Sequence, residues 1–591
     1  MRRMLLLAAI LTVAVSAAQE APKVFAKDQR LKASITMRVK IASLADFAAA
    51  LQASTKVPFS VATDIADRKI TAIFRDRLGS DVLSAVQDAL FLQWKNVGDG
   101  YRLILPSATD REEQEIIRTE SDARRSGLVE AMKRLAARDD ISQNEIDRRT
   151  KDLRAQMVQL RQTTGPETQQ KIADLMEQIQ DISNYAGVAI CKALSNDLNG
   201  AVDSLLSGKT LCASTLALPS VAKLPSGFMD HVLVRNPDAT GALVMIRYGY
   251  GNERIIGRTL VAGSGKRPGN SFTVFSMRAN LNTPDVRMSK LLVRLDKWSK
   301  QADPRVMSKT LTTPGPPEAS PGYFEMRGAT GFTLAEHLEA IADRADVPVI
   351  GDAFRIFCSD AQYRPEKTVG AYMDGLKTSH HMRNSLSTPP IGYYCTKNGW
   401  LFARHESYWR RWAREIPESV LKPMEDAAQQ NEFPSTDDYA RLVTSLTSGE
   451  VAVLRDDALN SALRFDPFPI QPTLGSLRLW ATLSPDQVAA TQGDGLKLTL
   501  LSPPQAKVMF ENWIEKMWQG KLPIDLWSAF FSARGLFEVN PILRYGLHDQ
   551  EGMPTQPGAV PRPARQQVDF LYDLSTGLQM RDAYVIEKAH S

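Results

Sequence analysis

The chain has 591 residues, 43% of them hydrophobic and 24% charged, with a formal net charge of +5. One core rarely grows past ~250 residues, so this length implies about three or four domains. So small a charge gives no footing for a nucleic-acid partner, and no run of roughly 20 apolar residues is present to cross a bilayer.

In chain order, Met1-Arg2-Arg3 precedes LLLAAILTVAVSAA, a basic tip and a short apolar run ending in small residues at Ala17 and Ala18. This pattern predicts a cleaved signal peptide over residues 1–18 and a periplasmic or secreted protein. No cysteine stands at the cleavage site to carry a lipid anchor. Export gives the four cysteines a meaning, because an even count in an oxidising compartment favours disulfides. Sequence order suggests Cys191 with Cys212 and Cys358 with Cys395, among the three pairings that four cysteines allow. No CxxC occurs, which argues against a redox or zinc role.

The stretch LADFAAALQASTKVPF, Leu44 to Phe59, is echoed by LAEHLEAIADRADVPV, Leu334 to Val349. Around the first copy, ITMRVKI alternates like a strand, and Leu44, Phe47, Ala48 and Leu51 recur at helical spacing. FSVA and KITAIFR read as strands. A second helix carries Val82, Leu83, Val86 and Leu90 on one face, with Ser80 as its cap. LQWKNV and YRLIL then form a hairpin, with Asp99-Gly100 expected at the turn because Asp-Gly accepts positive φ. The order is β-α-β-β-α-β-β. The second copy repeats both ends of this pattern, with Asn398-Gly399 replacing Asp99-Gly100, so the offset grows from 290 to 299 and implies a nine-residue net insertion. Each copy is expected to fold as a small separate body.

These residues, above all Leu44-Ala45-Asp46, Val57-Pro58-Phe59-Ser60-Val61, Lys69-Ile70-Thr71 and Val82 to Val86 before Trp94 and Tyr101, resemble the STN domain, the short amino-terminal domain of secretins and TonB-dependent transducers. The resemblance covers residues 34–106, with a weaker second copy over 323–404. It implies a periplasmic protein-binding module and therefore envelope or secreted partners, with self-association as another form of the same role. No secretin core or transmembrane barrel pattern follows.

Residues 107–186 are highly charged and helical. Ser142 to Glu145 reads as a capping box, and the helix it starts puts Ile146, Leu153, Met157 and Leu160 on one stripe, ended by Gly165-Pro166. A further helix carries Ile172, Leu175, Met176, Ile179 and Ile182. Both a solvated helical hairpin and a coiled-coil arm fit this pattern. Residues 187–311 hold a helix-Gly-strand unit, VDSLLSGKTLCA, and an antiparallel sheet from HVLVR, ALVMIRYGY, RIIGRTLVA and SFTVFSM. Residues 312–322 read as a linker. After the second copy, 405–475 holds an aromatic and basic helix and RLVTSLTSGEVAVL, a second helix-Gly-strand unit with Gly449 matching Gly208. Within 476–551, LSPDQ and LSPPQ are matched helix starts with serine caps at Ser484 and Ser502. A Pro-rich linker (552–566) precedes a closing hairpin, QVDFLYDL and LQMRDAYVIEK (567–591). The fold class is mixed α+β, multidomain.

Catalytic patterns fail one by one. AGSGKRPG has Leu260 and Arg267 where a phosphate loop needs glycine and Ser or Thr. Ser220-x-x-Lys223 is crowded by Pro219 and Pro225 and has no partner motifs. His405-Glu406 is followed by Trp409 where a zinc protease needs its second histidine, and His380-His381 point apart. No cofactor-binding or metal set stands out. The candidate interaction patch is HESYWRRWAREIPE, where Tyr408, Trp409 and Trp412 form a stripe beside Arg410, Arg411 and Arg414. Such a stripe offers desolvated anchors for a partner, or it packs on its own domain. The expected role is a non-catalytic envelope protein, with a secreted or periplasmic hydrolase acting on envelope or extracellular polymer as the alternative.

Overall fold

A computed structural model describes residues 24–162, 166–216, 221–249, 254–262, 273–278, 289–311, 332–352, 357–358, 368–378, 392–405, 408–412, 426, 434–446, 470–518, 542–550, 565–573 and 579–587. The predicted signal peptide, the 312–322 linker, residues 552–564 of the Pro-rich linker, His380-His381, Ser220, Gly165, Gly449 and most of AGSGKRPG lie outside them, while Arg565 and Gln566, expected in that linker, stand on a strand.

The first unit runs β1 (Ser34–Ser43), α1 (Leu44–Thr55), β2 (Phe59–Val61), β3 (Lys69–Leu78), α2 (Gly79–Leu90), β4 (Gln93–Val97), β5 (Gly100–Ile104). Ser43 Oγ accepts the Asp46 N–H at 3.0 Å and starts α1. Leu44, Phe47 and Leu51 are buried on its inner face. α1 ends when Lys56 enters the left-handed region at φ 61°, and the chain turns through buried Val57 so that the Pro58 carbonyl accepts the Tyr101 N–H at 2.9 Å. β1 pairs antiparallel with β3, while β2, β5 and β4 form a second sheet in that order.

The hairpin turns at Gly98-Asp99, one residue earlier than the sequence suggests, with Val97 opposite Gly100. Gly98 supplies the positive φ, 61°. Gly100 serves another need: a Cβ there would stand 2.2 Å from the Pro58 carbonyl oxygen, so only glycine lets the strand pass that close.

From here α3 (Ser107–Ala136) leads to α4 (Gln143–Leu160), α5 (Pro166–Ser183), α6 (Tyr185–Ala193) and α7 (Leu198–Leu206). α4 and α5 pack side by side as a hairpin. Ser142 caps α4 by accepting the Glu145 N–H at 3.3 Å, but the Glu145 carboxylate turns to Arg148 and Arg149 rather than completing a box. Then come β6 (Leu211–Ser214), β7 (Ala222–Lys223), α8 (Phe228–Arg235), β8 (Gly241–Gly249), β9 (Arg254–Ala262) and β10 (Thr273–Arg278), forming a sheet ordered β10-β9-β8-β6-β7. HVLVR, expected as a strand, is the end of helix α8. Phe228, His231 and Val232 are buried while Val234 is 62% exposed, a helical period that a run of three apolar residues does not reveal. Lys223 stands on a strand, so no Ser-x-x-Lys helix forms.

α9 (Lys290–Ser299) returns to the first unit, where the Trp298 indole N–H donates to the Asp88 carbonyl at 3.0 Å. After α10 (Pro304–Met307), the second unit runs β11 (Phe332–Thr333), α11 (Leu334–Ala345), β12 (Val349–Gly351), β13 (Phe357–Cys358), α12 (Val369–Thr378), β14 (Tyr393–Lys397), β15 (Trp400–Arg404). It has the same element order as the first unit. Asp346, 290 residues after Lys56, likewise takes positive φ, 47°, and Pro348 accepts the Leu401 N–H at 2.9 Å. β2 pairs with β5 as β12 pairs with β15, parallel, with Phe59 opposite Tyr101 and Val349 opposite Leu401. The offset therefore grows from 290 to 300, a ten-residue insertion rather than nine.

The two units are not separate bodies. β3 pairs antiparallel with β12, Thr71 to Gly351 and Ile73 to Val349, giving one sheet ordered β1-β3-β12-β15-β14. Arg38 makes a two-point contact with Asp343 at 2.9 and 3.0 Å, Lys40 holds Glu339 at 2.9 Å, and Arg75 reaches Asp343 at 3.2 Å.

α13 (Tyr408–Trp412), α14 (Thr436–Ser445), α15 (Ile470–Trp480), α16 (Pro485–Gln492), β16 (Leu496–Lys497), α17 (Pro503–Trp518), β17 (Ile542–Gln550), β18 (Arg565–Asp573) and β19 (Gln579–Glu587) complete the chain. The last four strands form a sheet in the order β16-β17-β18-β19. One face of the central sheet packs on α6, α7 and α8, and the other shares a core with α14, α15, α17 and this last sheet. The matched starts of α16 and α17 meet. Gln487 and Gln505 each accept their capping serine's N–H, at 2.9 and 2.8 Å, and their amides bond each other at 2.8 and 3.3 Å. Ser484→Ala is expected to cost about 1 kcal/mol in a denaturant melt.

Among the described residues Cys191, Cys212 and Cys395 carry no disulfide. Strand alternation explains the first miss: Cys212 on β6 faces the core shared with α17, whereas Cys191 on α6 lies in the core on the opposite side of that sheet. Cys395 packs beside Trp400 and Phe402 in the five-stranded sheet, whereas Cys358 belongs to a different sheet, β11-β13. Burial pushes the thiols of Cys191, Cys212 and Cys395 up to about 12, so none is a thiolate at neutral pH. No described helix is long and apolar enough to cross a membrane.

Candidate interaction site

The sequence-predicted patch turns inward. Tyr408 and Trp409 are buried, and Trp412 is half-buried against the first unit's core. The side chains of Arg410 and Arg411, and Arg414 altogether, lie outside the described residues. The cations that meet the stripe come from elsewhere. Arg404, fully buried, lies 3.5 Å over the Tyr408 ring, and Arg68 lies 3.8 Å over Trp412. The Trp409 indole N–H donates to Glu120 at 3.2 Å.

Arg404 also holds Asp352, Nε to Oδ2 at 3.0 Å, while the His405 amide donates to Asp352 Oδ1 at 2.7 Å. Arg68 pairs with Glu113 at 3.1 Å, and burial raises the Glu113 carboxyl against the pull of that cation. The cluster thus welds the first unit, α3 and the second unit together. Guanidinium stacking on aromatic faces, a preference of arginine over lysine, compensates for the Arg404 Nη1 and Nη2 atoms, which have no hydrogen-bond partner.

A second dense polar cluster lies in the carboxy-terminal core. Ser476 Oγ donates to Asp582 at 2.6 Å and bonds the Tyr572 hydroxyl at 2.8 Å, Asn512 donates to Ser476 at 3.2 Å, and Lys516 bonds Asp582. A serine, a lysine and an aspartate together suggest acyl chemistry, but Ser476 is 1% exposed and the Lys516 and Asp582 side chains are fully buried. Every member is turned on another, and only Asn512 Oδ1 is buried without a hydrogen-bond partner, so this is a closed core network. Among the described residues no group of histidine, cysteine and carboxylates is placed to hold a metal ion.

The open site is elsewhere, on the first unit. A groove of about 540 Å³ runs between α1 and β2, walled by Ala45, Ala49, Ala53, Lys56, Phe59 and Val61. Among the described residues β2 is the edge of its sheet. Because Pro58 and Ala62 bond toward β5, strand alternation turns the main-chain groups of Phe59 and Val61 toward the groove. One of them is covered: Gln52 Oε1 accepts the Phe59 N–H at 3.2 Å.

In the second unit the corresponding edge, β12, is filled by β3. The helices beside the two edges differ at the positions that face the added strand. Glu339, Asp343 and Asp346 of α11 and its exit correspond, 290 residues earlier, to Ala49, Ala53 and Lys56, and Leu338 and Ala342 correspond to Ala48 and Gln52. Small side chains hollow the first groove, and carboxylates clasp Arg38, Lys40 and Arg75 in the second.

Sequence reasoning missed this site, although the run Ala48-Ala49-Ala50 against Leu338-Glu339-Ala340 was its signal. The fold defines a multidomain α+β protein in which the element order βαββαββ occurs twice. Comparison with protein-family models, with curated proteins and with solved structures returns no match.

Proposed function

We propose that the chain is an exported, non-catalytic envelope protein that binds other envelope or secreted proteins, or itself, through two STN-like units. The observation that carries this reading is the contrast between matched edges. β12 is closed by the chain's own β3, while among the described residues no strand covers β2, which runs beside a groove of about 540 Å³. Exposed strand edges recruit extended segments of other chains, with main-chain hydrogen bonds supplying affinity and side-chain pockets supplying specificity.

The test is affinity capture of the tagged full-length chain from its native cells after chemical crosslinking, with fractionation. The expected result is an amino terminus processed near Ala18, recovery in the envelope or medium, and discrete crosslinked adducts. An unprocessed cytosolic chain without adducts overturns the proposal.

A further inference from the structure

We infer that the α1-β2 groove takes an extended segment of a partner protein, added antiparallel to β2, that carries an apolar residue opposite Phe59 and an acidic residue two positions later. This deepens the interaction reading above and rests on it. The template is internal to the chain. β3 adds to β12 antiparallel with Ile73 opposite Val349, and two residues later Arg75 reaches Asp343. Ile73 is buried there beside Leu338, Ile341 and Val349.

Transferred to the first unit, Val349 becomes Phe59 and Asp343 becomes Ala53, one helical turn from Lys56. Arg75, which reaches the Asp343 carboxylate in the second unit, would meet Ala53 at the matched position of the first. Lys56, exposed at the same end, favours an acid instead. Ala45 and Ala49 leave room for the apolar side chain that Ile73 represents.

Gln52 is the guard of this edge. Its amide covers the Phe59 N–H that an incoming strand needs, whereas its counterpart in the filled unit is Ala342, which has no such group. Covering an edge donor with a side chain is a means of discouraging indiscriminate strand pairing. The partner therefore displaces Gln52 on binding.

The experiment uses the full-length chain and two fluorescein-labelled octapeptides, the Lys69–Asp76 sequence and the same sequence with Arg75→Glu, in fluorescence anisotropy. The Arg75→Glu peptide is expected to bind at least tenfold more tightly than the parent peptide, and Lys56→Glu in the protein to reverse that order. Gln52→Ala is expected to tighten binding severalfold. Val61→Pro, which removes an outward N–H at a sheet edge where proline is tolerated, is expected to weaken it at least tenfold. Ala49→Glu, which fills the groove without altering the backbone, does the same and guards against a misfolded Val61→Pro chain. Equal binding of the two peptides, or binding indifferent to both groove variants, overturns the inference. So does Val61-dependent self-association in sedimentation, which would make a second copy of this chain the occupant. Capture of envelope adducts that persists in both groove variants sinks the groove assignment while leaving the interaction role standing. Loss of all adducts in the unmodified chain sinks both.

Discussion

Asp352→Ala is expected to lower the unfolding free energy by about 3–5 kcal/mol, read from denaturant melts. Both partners of the Asp352-Arg404 pair are fully buried. Removing the side chain leaves the Arg404 guanidinium without its hydrogen-bonded acid under the Tyr408 and Trp412 rings, together with a His405 amide that has lost this acceptor. The ring faces offset part of that cost but cannot neutralise a cation. Adding Arg404→Met should recover much of the loss, because the pair's destruction is harmful chiefly through the charge left behind. An equal loss in the single and double variants would remove the buried-charge explanation. The pair also has a pH signature. Burial pushes the Asp352 carboxyl up to about 7, against the pull of Arg404 and the His405 amide. A folded value above the unfolded 3.8 adds stability that is complete below pH 3.8 and disappears as pH rises through 7. Asp352→Asn, which resembles the protonated acid, should abolish this slope.

His337 acts in the opposite direction over the same range, and its effect is the second large one. Its ring is fully buried in the second unit, with Nδ1 2.7 Å from the Tyr372 hydroxyl, and burial lowers its value from 6.5 to about 4. The neutral ring suits the fold and the imidazolium does not. Its contribution is therefore present above pH 6.5 and lost as pH falls through 4, about 3 kcal/mol in all. The first unit has Phe47 at the matched position. His337→Phe should consequently remain folded without the His337-Tyr372 hydrogen bond, somewhat weaker at pH 7, and should lack this acid sensitivity. Melts of the two chains at pH 7 and pH 4 give the difference directly. Parallel pH profiles would rule out His337 as the titrating group.

Much of each unit was legible because local rules agree there. Leu44, Phe47 and Leu51 keep helical spacing, Val57-Pro58 follows a helix exit, and strands alternate around a hairpin. The hairpin itself was misread by one residue, because Asp99-Gly100 is the better turn dipeptide while Gly100 is needed beside Pro58. HVLVR was misread because three apolar residues, Val232 to Val234, satisfy either period. The cysteine pairing failed for a different reason: proximity along the chain says nothing about which face of β6 Cys212 occupies. The aromatic stripe after His405 keeps its helical spacing, but its cations turned out to be Arg404 and Arg68, the latter some 340 residues earlier. The candidate groove is defined by what alanine lacks, and it became visible only once the filled edge of the second unit showed what such a groove is for.

The pairing of Ile73 with Val349 spans 276 residues. A nascent chain leaving the ribosome therefore presents β3 long before its neighbour has been synthesised, with Ile73 uncovered and a row of backbone groups unsatisfied. Non-local pairing of this kind is slow and prone to aggregation. Fragments ending before Val349, which keep that edge uncovered, are expected to aggregate in light scattering where the whole chain does not.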